Sequence, residues 1–444
     1  MLKITNTLTG KKEPFKPLSD KKVLLYVCGI TPYDFAHMGH GRVYVFFDVL
    51  YRLLRLLGYD VTYCRNFTDV DDKLIARAQK EYNDPLRFAE IATRFIDAYH
   101  EDMARLNCLP PTYEPRVTAV IPEIIKFIEG LIAKGKAYVV DGDVYFRIKS
   151  FPEYTKLSKQ NSDDLKAGAR VQVDEHKEDP LDFALWKAEK EGTFWKSPWG
   201  YGRPGWHIEC SAMAQKYLGD RIDIHGGGMD LIFPHHENEI AQTEGLTEKP
   251  FANYWMHNAF VRINKEKMSK SLGNFFTLRD VFKQFDPMVV RFLYLNHHYR
   301  APLDFSLQEL EVAQKTYQKL AKFFAQTICK KVSDQDILKN PLVQEMLAFL
   351  YDDVNTTGLW GVLFSNLDAL QKDQETFCAV KQFIMEVLGL TLEPLPEQEV
   401  TVTSEMQKLI AQREEARKQK DWARADALRD ELRKLGYDTQ DKKS

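Results

Sequence analysis

Little in this chain of 444 residues assigns it at first sight. No apolar run approaches the ~18 residues of a membrane-spanning helix, so no membrane partner is expected. The opening Met1-Leu2-Lys3-Ile4-Thr5-Asn6 has no apolar signal segment. There are only six cysteines, Cys28, Cys64, Cys108, Cys210, Cys329 and Cys378, and they are scattered. That usage predicts free thiols in a cytoplasmic protein rather than a disulfide framework. Neither sign of charge prevails. With 61 Lys and Arg against 64 Asp and Glu, net charge alone points to no polyanionic partner, and one would have to be met by local patches. The chain has no Gly-x-x-x-x-Gly-Lys-Ser/Thr loop, so phosphate binding needs another device. It has no Gly-x-Ser-x-Gly elbow, which removes the usual serine hydrolases. Internal repeats and low-complexity tracts are also absent.

What remains is an ordinary globular composition, 44% apolar and 28% charged. Lys22–Cys28 (KVLLYVC) reads as a buried strand and Gly39–Leu57 as a helix closed by Gly58. Asp60–Arg65 predicts the next strand and Asp71–Glu81 a helix. Strand, loop, helix, strand is a βαβ unit, so an α/β fold with a Rossmann-like parallel sheet is expected, binding its ligand at the carboxyl end of the first strand. Pro110 and Pro111 mark a break. Residues 111–200 read as a connective insertion with a helix near 117–134, a hairpin turning at Asp141-Gly142, and an irregular polar stretch from about 150 to 195. The α/β pattern then resumes with a helix at 206–218, a strand at 221–225, a glycine loop at 226–228, a helix at 235–244 and a strand at 254–263. The expected organisation is 1–110 and 201–265 as the two sheet halves, 266–305 as a loop and stem-contact region, 306–398 as a helical bundle, and 399–444 as a small C-terminal segment.

Three groups of residues carry chemistry. His37 and His40 stand three apart at a helix start, where backbone N–H groups and the helix dipole favour anions. About 230 residues on, Lys267 and Lys270 lie in a hydrophilic loop with Ser269 and Ser271, and two such lysines suit a triphosphate. Gly39 and Gly41 leave room for a base or a phosphate. His225-Gly226-Gly227-Gly228-Met229-Asp230 follows a strand; its glycines permit close approach of a ligand, and Asp230 suits ribose hydroxyls. His235 and Glu239 share a helix face, and with Cys28 and Cys210 they make a two-sulfur set suited to zinc, if the two halves form one sheet. His207 is a rival ligand. Ile240 rules out the metalloprotease spacing after His236-Glu237.

Together these residues resemble a family. His37-Met38-Gly39-His40 is similar to the HIGH signature of class I aminoacyl-tRNA synthetases, and Lys267-Met268-Ser269-Lys270-Ser271 matches their KMSKS signature. Tyr26–Thr31, Gly202–Ser211, Asn66–Lys73 and His225–Glu239 resemble cysteinyl-tRNA synthetases in particular. The resemblance implies zinc held by Cys28, Cys210, His235 and Glu239, and a cysteine pocket with Gly29, Thr31, Thr68 and Trp206. It implies ATP bound by Gly39, Gly41, Gly226, Gly227, Gly228, Asp230 and Lys270 with Mg2+, and catalysis by His37, His40, Lys267 and Lys270. His207 and His236 fall in a histidine cluster beneath the site. The implied partners are ATP, L-cysteine and tRNA(Cys), and a monomer is expected. Arg417, Lys418, Lys420, Trp422 and Arg424 suit unpaired anticodon bases. A relative that joins cysteine to an amino sugar shares the activation step but lacks the long C-terminal part. A zinc hydrolase with a glycine-rich oxyanion loop leaves Lys267–Ser271 unexplained, and a non-catalytic RNA-binding zinc module leaves both phosphate motifs idle.

Overall fold

A computed structural model describes residues 1–161, 176–263, 266–267, 276–396 and 404–434. After a hairpin of β1 (Lys3–Asn6) and β2 (Lys11–Pro14), β3 (Lys22–Ile30) runs through the core. Then come α1 (Met38–Leu56), β4 (Asp60–Phe67), α2 (Asp72–Tyr82), α3 (Phe88–Arg105) and α4 (Ile121–Ala133). The next strands are β5 (Ala137–Val140), β6 (Asp143–Phe146), β7 (Phe183–Ala188), β8 (Trp195–Ser197) and β9 (Gly200–Pro204). They are followed by α5 (Trp206–Leu218), β10 (Ile222–Gly228), α6 (Glu237–Thr247), β11 (Ala252–Asn258), β12 (Val261–Ile263) and β13 (Glu266–Lys267). Next are α7 (Leu278–Val281), α8 (Pro287–Leu295), β14 (Leu303–Asp304) and α9 (Leu307–Ala325), with further helices beyond.

The central sheet has the order β11-β10-β3-β4, all parallel. β3 and β10 pair directly, Leu25 with Ile224 and Val27 with Gly226, so the two halves read from the sequence do form one sheet. Helices cover its faces, which is why β3 is a nearly unbroken apolar run rather than an alternating one. α1 is buried almost all round and carries two buried charges, Arg42 and Asp48. Asp48 accepts hydrogen bonds from Arg52 and from the fully buried Arg291, which also donates to the Leu106 and Leu388 carbonyls. These bonds join the sheet domain to the helical region behind it.

The insertion is more regular than the sequence suggests. β5-β6-β7-β9-β8 form a five-stranded antiparallel sheet reaching Pro204. Phe183, Leu185 and Trp186 bury most of one strand inside the stretch expected to be irregular. Gly200-Tyr201-Gly202-Arg203-Pro204-Gly205 has the spacing of a dinucleotide fingerprint but serves this sheet. A Cβ on Gly202 would lie 2.3 Å from the Lys187 carbonyl oxygen, and one on Gly205 2.0 Å from that of Ala184.

Contrary to what their scattered usage predicts, the cysteines are not all free thiols. Cys329 and Cys378 form a disulfide, with Cα atoms 5.3 Å apart, tying the segment after α9 to the helix Gln374–Val387. A separation of 49 residues hid their proximity. The other four cysteines are free. Contacts divide the chain into two units, Met1–Glu393 and Pro394–Ser444. In the second unit the helices Ser404–Lys418 and Trp422–Lys434 lie against each other, and Trp422 is exposed. Among the described residues, no helix is long and apolar enough to cross a membrane.

Candidate active site and metal centre

A cavity of about 350 Å³ opens at the carboxyl ends of β3 and β10. Cys28, Gly29, Thr31, His37, Gly39, His40, Trp206, Gly228 and Asp230 all line it, together with Lys73, Tyr33 and Asn258. Gly41, Thr68, Gly226 and Gly227 do not. A Cβ on Gly41 would lie 2.8 Å from the Tyr294 hydroxyl and 2.9 Å from Leu278. One on Gly226 would sit 2.1 Å from the Phe47 ring, and one on Gly227 2.8 Å from Leu231. The room these three glycines leave is filled by protein. Thr68 is buried and donates to Glu209 Oε2 at 2.8 Å. Gly29 faces the cavity for a backbone reason as well. Its missing Cβ would fall 1.5 Å from the Asn66 carbonyl oxygen, where β3 and β4 shift register, and its N–H donates to Asn66 Oδ1 at 2.9 Å.

His37 and His40 begin α1 as a reciprocal cap. Nδ1 of His37 accepts from the N–H groups of Gly39 and His40, and Nδ1 of His40 accepts from the N–H of His37. The two rings stack with centroids 3.6 Å apart. An imidazole that accepts at Nδ1 carries its proton at Nε2 when neutral. The cap therefore fixes the tautomer that presents an Nε2–H donor from each ring. Lys267 closes β13, paired with Arg262 of β12, but its side chain and the whole of Lys270 lie outside the described residues.

Beside the cavity lies a cluster of side chains that could hold a metal ion. One ligand atom each from Cys28, Cys210, His235 and Glu239 lies within 4.8 Å of the other three, and all four residues are buried. They come from the end of β3, from α5, and from the turn into α6 together with that helix. A second set, Cys28, His225, His236 and Glu239, satisfies the same distance test and shares two members with the first. His225 was hidden in the sequence by its place before the glycines. His207 is not in either set; its Nδ1 lies 2.9 Å from Nδ1 of His235. Trp206 stacks on His235 at 4.4 Å, so the cavity wall rests on a member of the cluster. Behind the ligands, His225 Nε2 meets Glu239 Oε2 at 2.8 Å, and His236 Nδ1 meets His257 Nε2 at 2.8 Å. His257 Nδ1 lies 2.7 Å from the Thr7 hydroxyl.

Protonation in the cluster follows from these contacts. Burial, the neighbouring Cys210 and Glu239 hold the Cys28 thiol well above its usual range. Burial also opposes ionisation of Cys210, but the Cys28 thiol and His235 bring it down to about 6. Burial disfavours the His235 cation, yet Glu239 and Cys210 raise it to about 10. At neutral pH, then, Cys28 and His235 hold protons that a metal ion must displace. We expect about two protons released per divalent ion, and an affinity rising by about two decades per pH unit between about pH 7 and 9. Calorimetric titration in buffers of different protonation enthalpy measures this number, and release of fewer than one proton would rule out this ligand set.

The model of the class I (C) tRNA synthetase catalytic domain matches residues 14–315. The fold and the site thus define a class I aminoacyl-tRNA synthetase. Solved structures agree on the fold. A Mycobacterium tuberculosis methionyl-tRNA synthetase in complex with methionyl-adenylate superposes with a TM-score of 0.58 at 14% identity, covering 84% of this chain and 92% of that one. An Agrobacterium radiobacter LeuRS–tRNA–LeuAMS complex gives 0.58 at 12%, covering 84% of each chain. Sequence relatives are far closer. The cysteine–tRNA ligase of Caldicellulosiruptor saccharolyticus is 49% identical over 98% of this chain and 97% of its own, and that of Anoxybacillus flavithermus 50% identical over 97% and 96%. A cysteinyl-tRNA ligase anticodon-binding domain matches residues 401–444. The chain belongs to the cysteine–tRNA ligase family.

Proposed function

We propose that the protein activates L-cysteine with ATP and esterifies it to tRNA(Cys), acting as a cytoplasmic monomer, with zinc at Cys28, Cys210, His235 and Glu239 to select the thiol. One observation carries this reading: Cys28 belongs to the ligand cluster and also lines the cavity that holds His37 and His40. Two sulfurs, an imidazole and a carboxylate fit zinc, and they favour this set over the one-sulfur set with His225 and His236. When bound, zinc supplies a soft Lewis acid that prefers thiolate to hydroxyl.

The chain's own residues account for the rest. Trp206 and Gly29 bound the amino acid, and its carboxylate attacks the α-phosphate of ATP, expelling pyrophosphate. Negative charge grows on that leaving group, whose magnesium travels with the nucleotide. The Nε2–H donors of His37 and His40, the α1 N-terminus, and the lysines at 267 and 270 oppose that charge. Asp230 and Gly228 face the ribose. A terminal 2′-hydroxyl of the tRNA then attacks the adenylate, so positioning and charge stabilisation do the work and no side chain becomes a nucleophile. Cysteine and serine differ by one atom, which a plain pocket separates poorly. ATP–pyrophosphate exchange is therefore expected with cysteine, and with serine at less than about a tenth of that rate. Serine activity within tenfold of cysteine would overturn thiol selection by metal. Charging of tRNA rather than an amino sugar is expected to follow, and the match at 401–444 supports that choice.

A further inference from the structure

Two residues past His40, Arg42 is 2% exposed and has no carboxylate partner among the described residues. Its guanidinium donates instead to four backbone carbonyls. Nη1 reaches Ala259 O at 3.1 Å and Phe260 O at 3.0 Å; Nη2 reaches His298 O at 3.1 Å and also the carbonyl of Ala301. A buried cation without a counter-charge is costly, and an apolar residue would fill the space more cheaply. What the guanidinium offers is a rigid fork of five donors that can gather several carbonyls into one arrangement.

Those carbonyls sit at the roots of two neighbouring strands. Ala259 and Phe260 lead into β12, and His298 and Ala301 lead into β14. The two strands pair, Val261 with Leu303, and Leu303 N donates to Phe260 O. β12 carries β13, and with it Lys267. The chain at 276–278 is also fixed at the start of α1 and to the loop before it: Met38 N donates to Phe276 O, and Leu278 N to Ala36 O. Gly41 completes the seat by admitting Tyr294 and Leu278 against the helix. The start of α1 therefore holds both the strand leading toward the lysine motif and the segment at 276–278 that follows it, and Arg42 makes the first of these attachments.

We propose that Arg42 is a positioning residue for adenylation, holding the small sheet that carries Lys267 in register with the helix that carries His37 and His40. The inference rests on the synthetase reading above. Phosphoryl-type chemistry is sensitive to such registration, since a 1 Å displacement can cost about 100-fold in rate. Arg42 neither belongs to the cluster of Cys28, Cys210, His235 and Glu239 nor lines the cavity, so its loss removes no group that would touch the thiol.

The test compares the parent protein, Arg42→Lys and Arg42→Met in cysteine-dependent ATP–pyrophosphate exchange, with bound zinc and melting temperature measured on the same samples. The parent is expected to exchange. Both variants are expected to keep their zinc and a KM for cysteine within about threefold, while kcat falls by about 100-fold in Arg42→Met and less in Arg42→Lys. A third variant, Arg42→Ala, is expected to lose kcat like Arg42→Met and to regain part of it with millimolar guanidinium, which a merely loosened fold would not permit. Exchange in the variants within threefold of the parent would overturn the positioning role. So would a loss of kcat accompanied by equal losses of cysteine binding and zinc. If Arg42→Met fails to fold, Arg42→Lys decides between the same outcomes. Absence of exchange in the parent itself would instead overturn the synthetase reading, and the inference with it.

Discussion

Cys210→Ser is expected to lower kcat/KM for cysteine by about 10³-fold, or about 4 kcal/mol, while KM for ATP moves less than about threefold. The donor set is what this change alters. Cys210 lies on α5 with its sulfur 3.8 Å from that of Cys28, and it is the member held as a thiolate, with a pKa of about 6. A serine hydroxyl does not ionise at neutral pH and is a poor ligand for a soft ion. The α1 helix and its capping histidines are untouched by the change, so the nucleotide end of the cavity should work as before. Exchange kinetics at saturating ATP and at saturating cysteine separate the two effects. Equal rises in both KM values would mean that the metal only supports the fold.

The second large effect is expected at His40. Removing one preorganised donor to a developing charge costs about 10²–10³-fold in rate, and His40→Ala should show that loss in kcat with the cysteine KM little changed. It should also cost about 1 kcal/mol of stability, because Nδ1 of His40 caps the His37 N–H. His40→Asn separates the two roles. Its short amide can accept from the backbone but carries no ring N–H at the same reach, so melting temperature should recover while kcat does not. Recovery of both would assign His40 a capping role only. Calorimetry and exchange assays on the two variants check this.

The signature motifs make the candidate site residues legible in the sequence. His235 and Glu239 are picked out by helix spacing and Cys28 and Cys210 by residue type, the set of four being implied by the family resemblance, and the pairing of β3 with β10 brings all four together. The strand-helix-strand rhythm likewise predicts the parallel sheet. Other features are hidden because they depend on partners distant in sequence. Gly226 reads as a ligand loop, but what makes it glycine is Phe47, on a helix formed almost 180 residues earlier. His225 stands before those glycines, and only the fold aims it at Glu239. α3 carries no signature residue at all. Phe183–Ala188 is a strand whose neighbours on both sides are polar, and the bridge between Cys329 and Cys378 joins thiols that nothing in the sequence connects.

The wide spacing of the paired strands also bears on how the molecule is made. On the ribosome, β3 leaves the exit tunnel long before β10, and the whole insertion must be synthesised between them. Until residue 228 or so has emerged, one edge of β3 has no hydrogen-bonded neighbour, and Arg42 cannot find its carbonyls until Ala301 has followed. Such late, non-local closure is slow and leaves apolar strands uncovered. A translation pause within the insertion would thus leave an incomplete sheet for a chaperone to protect, and the reaction centre would form only in the last third of synthesis.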